Sequence, residues 1–247
     1  LPACIIFNSM AGYRHYLAAG YRNECTKVVP NGIDVEAFFP DVTKREKFRR
    51  SLGVEAGWRL IGLIGRLDVM KDHRTFLDAA CLFAEHERDT LFVCIGDGPS
   101  EYRLELDARA TALGLADKVL WIPRVEDMSA AYNALDILTL ASIGEAFPNV
   151  IAEAMACETP CVATAVGDCR EIVGDIWPLV EPKAPQKLAE AWREVLTLDQ
   201  GESQRRRKEG RQRIVDKYSL SELGRGVAEV MRQVHPAKHA MRVNDQC

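Results

Sequence analysis

Five short apolar runs recur between Leu60 and Ala165: "LIGLIG" (60–65), "LFVCIG" (91–96), "KVLWIP" (118–123), "DILTLA" (136–141) and "PCVATA" (160–165). None alternates polar with apolar residues, and each is shorter than a helix, so each reads as a strand buried on both faces. Helical patterns fill the gaps. One runs from about His73 to Glu87 with Asp72 as its N-cap, and another from about Glu101 to Leu113. A short one lies near Asp127 to Asn133, and a fourth spans about Pro148 to Cys157. Buried strands separated by helices specify an α/β fold, a doubly wound parallel sheet covered on both faces. Such a sheet takes its ligands at the carboxyl ends of its strands.

The flanks read differently. "ACIIFNS" (3–9) is a strand, "MAGYRHYLAAG" a helix closed by Gly20, and "TKVVPNGID" (26–34) a short strand entering a turn at Asn31-Gly32. Val35 to Gly57 contains no strong strand and reads as an excursion before the main sheet. After the sheet come helices over about Lys183 to Leu198, Glu202 to Lys217 and Ser219 to Val234. The tail beyond His235 has no periodicity and is expected to fray.

Composition narrows the function. Hydrophobic residues make up 47% and charged residues 28% of the 247, an ordinary globular balance. No apolar run is long enough to span a bilayer. The chain opens on Leu without a charged-then-apolar leader, which is expected of a piece of something longer. A net charge of −4 argues against a nucleic-acid surface, and "RRRK" (205–208), set among glutamates, reads as a solvated helix face. The eight cysteines form no C-x-x-C pair and several sit in apolar runs. They are expected to be buried free thiols in a reducing cytoplasm, not metal ligands or disulfides.

The candidate chemistry gathers where strands end. "GRLDVMKDH" places Arg66 and Lys71 between the first main strand and the next helix. There two cations and unpaired helix N–H groups suit an anion such as a diphosphate. An ordinary surface lysine and an Arg66–Asp68 pair explain the same residues equally well. In "IGDGPS", Gly96 and Gly98 either admit a ligand to the backbone or simply turn the chain. The stretch is not G-x-G-x-x-G, which disfavours a nicotinamide enzyme. In "ASIGEAFPNV", Pro148 suits a first helical turn and leaves the backbone N–H groups of Phe147 to Val150 at the sheet rim. Glu145 precedes them in the turn, placed to accept hydrogen bonds from sugar hydroxyls. Glu153 lies on the helix between two alanines, where a half-buried carboxylate needs donors such as the two hydroxyls of a ribose. A bland reading of both carboxylates is a charged helix start that favours the dipole. "TAVGDCREIVGD" adds Gly167, either a ligand contact or a turn, with Glu171 on a short helix.

In this order and spacing, "GRLDVMK", "IGDGP", "GEAFPNVIAEAMACETPCVAT" and "AVGDCREIV" resemble the carboxy-terminal domain of retaining glycosyltransferases of family 4, which have the GT-B fold. Glu145 and Glu153 match the E-x7-E motif of that family, and "NGID" with "FFP" resembles its entry into the donor domain. The resemblance covers about Ile5 to Tyr218. It implies a Rossmann-like donor domain over residues 31–217. Residues 1–30 would be a remnant of the amino-terminal acceptor domain, and residues 218–247 a terminal helix crossing toward that domain plus a tail. It further implies that Arg66 and Lys71 hold the diphosphate of a nucleotide-sugar, that Glu145 meets the donor sugar and Glu153 the ribose. Gly65, Gly98, Gly167 and Phe147, Pro148, Asn149 and Val150 would line the pocket, with the base near Pro123 to Val125, hence Arg124 and Val125.

The reaction implied is glycosyl transfer from a nucleoside-diphosphate sugar to a glycan or lipid-linked acceptor, with the anomeric configuration retained. The two cations would stabilise the leaving diphosphate. No D-x-D motif is present, so no metal and no cofactor is expected. The expected location is cytoplasmic, with the cytoplasmic face of the membrane an open alternative. Three departures from the family matter: Ala146 where Gly is frequent, Pro123 in place of a common Gly, and an amino-terminal domain nearly absent. The isolated chain is therefore expected to bind donor and turn over poorly. Two other readings stay open, a non-catalytic nucleotide-sugar-binding subunit needing a partner chain and a sugar-nucleotide epimerase. A flavodoxin-like signalling domain is disfavoured, because no acidic cluster ends the first main strand.

Overall fold

The structure, a computed structural model, describes residues 2–22 and 25–234. The tail after His235 and Cys247 lie outside the described residues. A six-stranded, all-parallel sheet organises the chain. Its strands are β3 (Arg59–Ile64), β4 (Thr90–Ile95), β5 (Val119–Ile122), β6 (Ile137–Leu140), β7 (Cys161–Thr164) and β8 (Leu179–Val180), in the spatial order β5-β4-β3-β6-β7-β8. That is the doubly wound order, with the chain reversing its direction of travel between β3 and β6. The five expected main strands are all present; β8, only two residues long, was too short to leave a pattern.

Helices α3 (His73–Ala84), α4 (Ser100–Ala112), α5 (Met128–Ala134), α6 (Asn149–Ala156), α7 (Cys169–Val173) and α8 (Pro185–Thr197) connect and cover these strands. Trp192 of α8 meets Phe76, Phe83 and Phe92 in one aromatic cluster, and its indole donates to Thr139 of β6 at 3.0 Å. The cluster locks α3 and α8 onto the sheet while leaving no buried N–H unpaired. On the other face of the sheet Gly62 of β3 makes room for Leu135, since a Cβ there would lie 2.6 Å from the Leu135 side chain.

Before the main sheet, β1 (Ile5–Phe7), α1 (Met10–Ala18) and β2 (Thr26–Val28) form a small parallel β-α-β unit. Cys4 and Cys25 stand just ahead of the paired Ile5 and Thr26, with Cα atoms 4.6 Å apart, and are joined as a disulfide. This corrects the expectation of free thiols throughout. Neighbouring parallel strands brought into one cross-strand position two cysteines that sequence spacing leaves unrelated. Cys94, Cys157, Cys161 and Cys169 are buried and free, and burial raises each thiol above its usual range.

The excursion contains a helix that periodicity did not announce, α2 (Val42–Ser51), capped by Asp41. It is mostly polar and has no fully buried residue; Phe48 packs against the core and arginines make the remaining attachments. Arg45 and Arg49 both reach the Asp136 carboxylate, at 2.6 and 3.1 Å, and between them bond the carbonyls of Asn133, Ala134 and Leu135. Asp136 also accepts the Leu60 N–H at 2.7 Å. One carboxylate thus ties α2, the end of α5 and the start of β3. Helices α9 (Gln200–Tyr218) and α10 (Leu220–Val234) close the chain, joined to Ile33 through Tyr218 and Leu220 backbone hydrogen bonds.

His73 opens α3 fully buried beside the rings of Tyr102 and Trp121, and neither imidazole nitrogen has a partner. Burial, only partly offset by Asp72, lowers its pKa from 6.5 to about 4. As pH falls, the unfolded chain takes up this proton first, so the folded state loses stability from about pH 6.5 down to about pH 4. His73→Phe should keep the ring packing, remove two orphan nitrogens and flatten that limb by at most about 3 kcal/mol. Thermal melts of both proteins from pH 7 to pH 4 check this; parallel pH profiles would refute it.

Candidate functional site

The reversal between β3 and β6 opens a crevice at their carboxyl ends, and the loops leaving the two strands are knitted across it. Backbone pairing continues past β3, with Gly65 N–H donating to Ile95 and Leu67 N–H to Asp97, each at 2.9 Å. A single 3-10 turn, Val69–Lys71, follows, capped by Asp68, whose carboxylate accepts the Met70 N–H at 2.8 Å. From the other side, Ile143 N–H donates to the Met70 carbonyl at 2.9 Å.

That turn aims Lys71 at Glu145. The ammonium lies 2.5 Å from Glu145 Oε1, and the Ser142 hydroxyl donates to the same oxygen at 2.7 Å. The side chains are 23% and 12% exposed, so the pair is mostly removed from water. Ser142 is itself fixed, its carbonyl accepting from Thr164 Oγ1 of β7 at 2.6 Å. A Cβ added to Gly65 would meet the Lys71 stem at 3.5 Å, ordinary van der Waals contact. Electrostatically the ammonium neutralises the carboxylate, which allows the loop to face an anion that Glu145 alone would repel.

Two glycines draw the remaining loops in. A Cβ on Gly98 would lie 2.4 Å from the Leu67 carbonyl oxygen. Gly167, with φ of +54°, has its Cα side against the Glu145 and Ala146 carbonyls, where a Cβ would lie 2.5 and 2.7 Å away. Both therefore permit loop-on-loop contact around the crevice. Ala146 needs no such freedom: Asp72, Glu158 and Lys183 are the non-glycine residues of positive φ among those described.

Glu145 leads into α6. Pro148 occupies its N-cap position, and no side chain caps the first N–H groups of the helix. The side chains of this run turn elsewhere. Phe147 packs on Tyr218 with ring centroids 5.5 Å apart, Pro148 is buried, and Asn149 accepts from Asn31 at 2.9 Å. Val150 packs against the core.

Glu153 stands apart from the Lys71–Glu145 pair. It accepts the Tyr132 hydroxyl at 2.6 Å, and burial raises its pKa against the opposing effect of that hydrogen bond. Arg66 extends into solvent, 81% exposed, with its guanidinium 3.9 Å from Asp68. Arg124 is exposed and Val125 half-buried on the loop after β5. Of the expected site residues, the structure joins Lys71 to Glu145, sets Gly167 against the Glu145 carbonyl and sets Gly98 against the first loop. Arg66 meets Asp68 and Glu153 meets Tyr132, neither of them bonded to that pair. Ser142, Tyr132 and Asp168 carry interactions that sequence reasoning missed. Ser142 sits in the turn after the fourth main strand and Tyr132 in a short helix, neither marked by a motif, and Asp168 follows a glycine in what reads as a turn.

Among the described residues, no group of three or more His, Cys, Asp or Glu is arranged to hold a metal ion, and no helix is long and apolar enough to cross a membrane.

Known proteins are similar to this chain. The D-inositol 3-phosphate glycosyltransferase of Geodermatophilus obscurus is 37% identical over 182 residues, covering 69% of this chain and 40% of that protein. The 2-deoxystreptamine glucosyltransferase of Streptomyces kanamyceticus is 30% identical over 172 residues, covering 68% of this chain and 43% of that one. The chain thus spans less than half the length of these curated relatives. Anabaena Alr3699/HepE, solved in complex with UDP and glucose, superposes with a TM-score of 0.87 at 26% identity, over 94% of this chain and 63% of that one. The family model for glycosyl transferases group 1 matches residues 59–198, more than half of the chain. That match runs from the first residue of β3 to the residue after α8 and makes the chain a member of the glycosyl transferases group 1 family.

Proposed function

We propose that this chain carries the donor site of a retaining, family 4 hexosyltransferase that moves a sugar from a nucleoside diphosphate to an acceptor hydroxyl. The observation that carries the reading is the Lys71–Glu145 pair across the β3–β6 crevice, beside the uncapped start of α6. The neighbour of known structure solved with UDP-glucose supports the donor class.

Lys71 and the α6 N–H groups meet the diphosphate, and Arg66, unconstrained in solvent, folds over it. Glu145, held on one oxygen by Lys71 and Ser142, keeps the other for a donor-sugar hydroxyl. Glu153 and Tyr132 face the ribose, and the loop of Arg124 and Val125 faces the base. As the bond between the anomeric carbon and the phosphate oxygen breaks, the departing diphosphate gains negative charge. Lys71, Arg66 and the helix start stabilise it, the task a metal ion performs elsewhere. The acceptor oxygen bonds to the same face of the sugar and its proton passes to the leaving phosphate. The acceptor is a glycan or a lipid-linked glycan, and the setting is cytoplasmic, at or near a membrane face. The second sheet has only two strands among the described residues, offering an acceptor little to face, so this chain alone binds donor with little turnover.

Calorimetric titration with UDP, GDP and ADP tests the reading. Lys71→Ala should weaken the best nucleotide by about ten- to a hundredfold, the worth of one charge-assisted hydrogen bond. Glu145→Gln should weaken the nucleotide-sugar while sparing the nucleotide. Unchanged affinity in both Arg66→Ala and Lys71→Ala would end the assignment.

Glu153 gives an independent check. Its folded pKa lies above the unfolded value, so it favours folding most at low pH, and that contribution fades as pH rises through the folded pKa. Glu153→Gln keeps an acceptor for Tyr132 and should raise the melting temperature at pH 8 by a few degrees with no gain at pH 4. Nucleotide affinity should fall in the same variant. A gain in stability without that fall would remove Glu153 from the site.

A further inference from the structure

The first turn of α1 is capped mainly from a distant part of the sequence. Ser9 accepts the Gly12 N–H at 3.0 Å, but the Met10 and Ala11 N–H groups both go to the Asp168 carboxylate, at 2.7 Å to Oδ2 and 2.8 Å to Oδ1. Asp168 is 5% exposed and lies 158 positions from Met10 along the chain. Within its own β-α-β unit, Tyr13 and Tyr16 of α1 pack on Phe7, with ring centroids 5.9 and 5.1 Å apart. The helix buries no side chain, and its Arg14–Glu171 ion pair is 3.9 Å long and exposed. The carboxylate also lies at the positive end of the α1 dipole, where a negative charge is favoured.

The same residue holds the Glu145 loop. Asp168 N–H donates to the Ala146 carbonyl at 3.0 Å, and the preceding Gly167 is pressed against the Glu145 and Ala146 carbonyls. Asp168 further starts α7, accepting the Ile172 N–H on its carbonyl at 3.0 Å. Side chain and backbone of one buried residue therefore face opposite ways, toward α1 and toward the turn that presents Glu145 to Lys71.

We infer that Asp168 is a positioning residue that couples the seating of α1 to the geometry of the Glu145 loop, so that the loop is held in register only while α1 is docked. The inference rests on the donor-site reading for what the loop does, but not for the coupling itself. A local cap would fix α1 and nothing more. A coupling residue transmits the loss of α1 to residues 143–147, which α1 does not itself bond.

Amide hydrogen exchange on the ligand-free chain separates the two. In Asp168→Asn, one acceptor becomes a donor facing the helix N–H groups. Exchange at Met10 and Ala11 should rise at least about tenfold, the scale of one lost hydrogen bond, and exchange across residues 143–147 should rise with it. Ser9→Ala, which removes the local cap alone, should speed Gly12 and leave 143–147 unchanged. Met10→Pro supplies a second route should the Asp168 variant fail to fold. Proline suits the first helical position and Ser9 is already extended at φ −150°, ψ 148°, so one N–H is deleted with the carboxylate intact. It too should loosen 143–147. Faster exchange at α1 with an unchanged 143–147 segment, in either variant, overturns the coupling. UDP-glucose is then added as probe: the coupling predicts a larger loss for UDP-glucose than for UDP in Asp168→Asn. Failure of the unaltered chain to bind either probe would count against the donor site, while the exchange pattern still decides the coupling.

Discussion

A lysine and a glutamate that are mostly out of water can share a site only if each offsets the hydration the other has lost. Lys71 and Glu145 do so across the crevice between β3 and β6, and much of the surrounding backbone serves to keep them there. The 3-10 turn aims the ammonium, the Ser142 hydroxyl steadies the carboxylate, and Thr164 holds Ser142 in turn. Gly98 and Gly167 let the flanking loops close in without a clash. The pair joins the two halves of a sheet whose strand order reverses at that seam. It therefore does structural and electrostatic work in one contact, presenting a near-neutral surface where two isolated charges would each distort the site.

Much of this was legible in the sequence because burial on both faces of a parallel sheet leaves a continuous apolar run, and continuous runs are easy to see. The five strands from Leu60 to Ala165 announced themselves, as did the loop positions of Lys71 and Glu145 at strand ends. Asp72 was recognisable as an N-cap, and it does accept the Thr75 N–H, at 3.2 Å. What escaped has a common physical origin. The helix α2 has no apolar stripe: Phe48 is its one side chain packed on the core among the described residues, and arginine side chains make its polar attachments to Asp136 and the end of α5. The Cys4–Cys25 pairing depends on which strands become neighbours, and nothing in local spacing encodes that. Tyr132 lies in a short helix with no local sign of its partner; its ring packs against Phe38 and its hydroxyl donates to Glu153.

Position along the chain also says little about which polar residues carry more than one job. Asp168 follows a glycine and reads as part of a turn, while in space its carboxylate and its amide serve two different elements. Asp136 is comparable at the opposite rim, where it answers two arginines and a backbone N–H. Both were invisible because multiplicity of partners is a property of the folded chain.

The separation between those two aspartates has a consequence for how such a chain can change. The Asp136 network fixes α2, α5 and β3 from the rim where the strands begin, and it shares no residue with the loops where they end. Exposed loop residues such as Arg124 and Ala146 can therefore be exchanged in the course of descent without loosening that network. A fold arranged this way can vary at one edge while the other keeps the molecule intact.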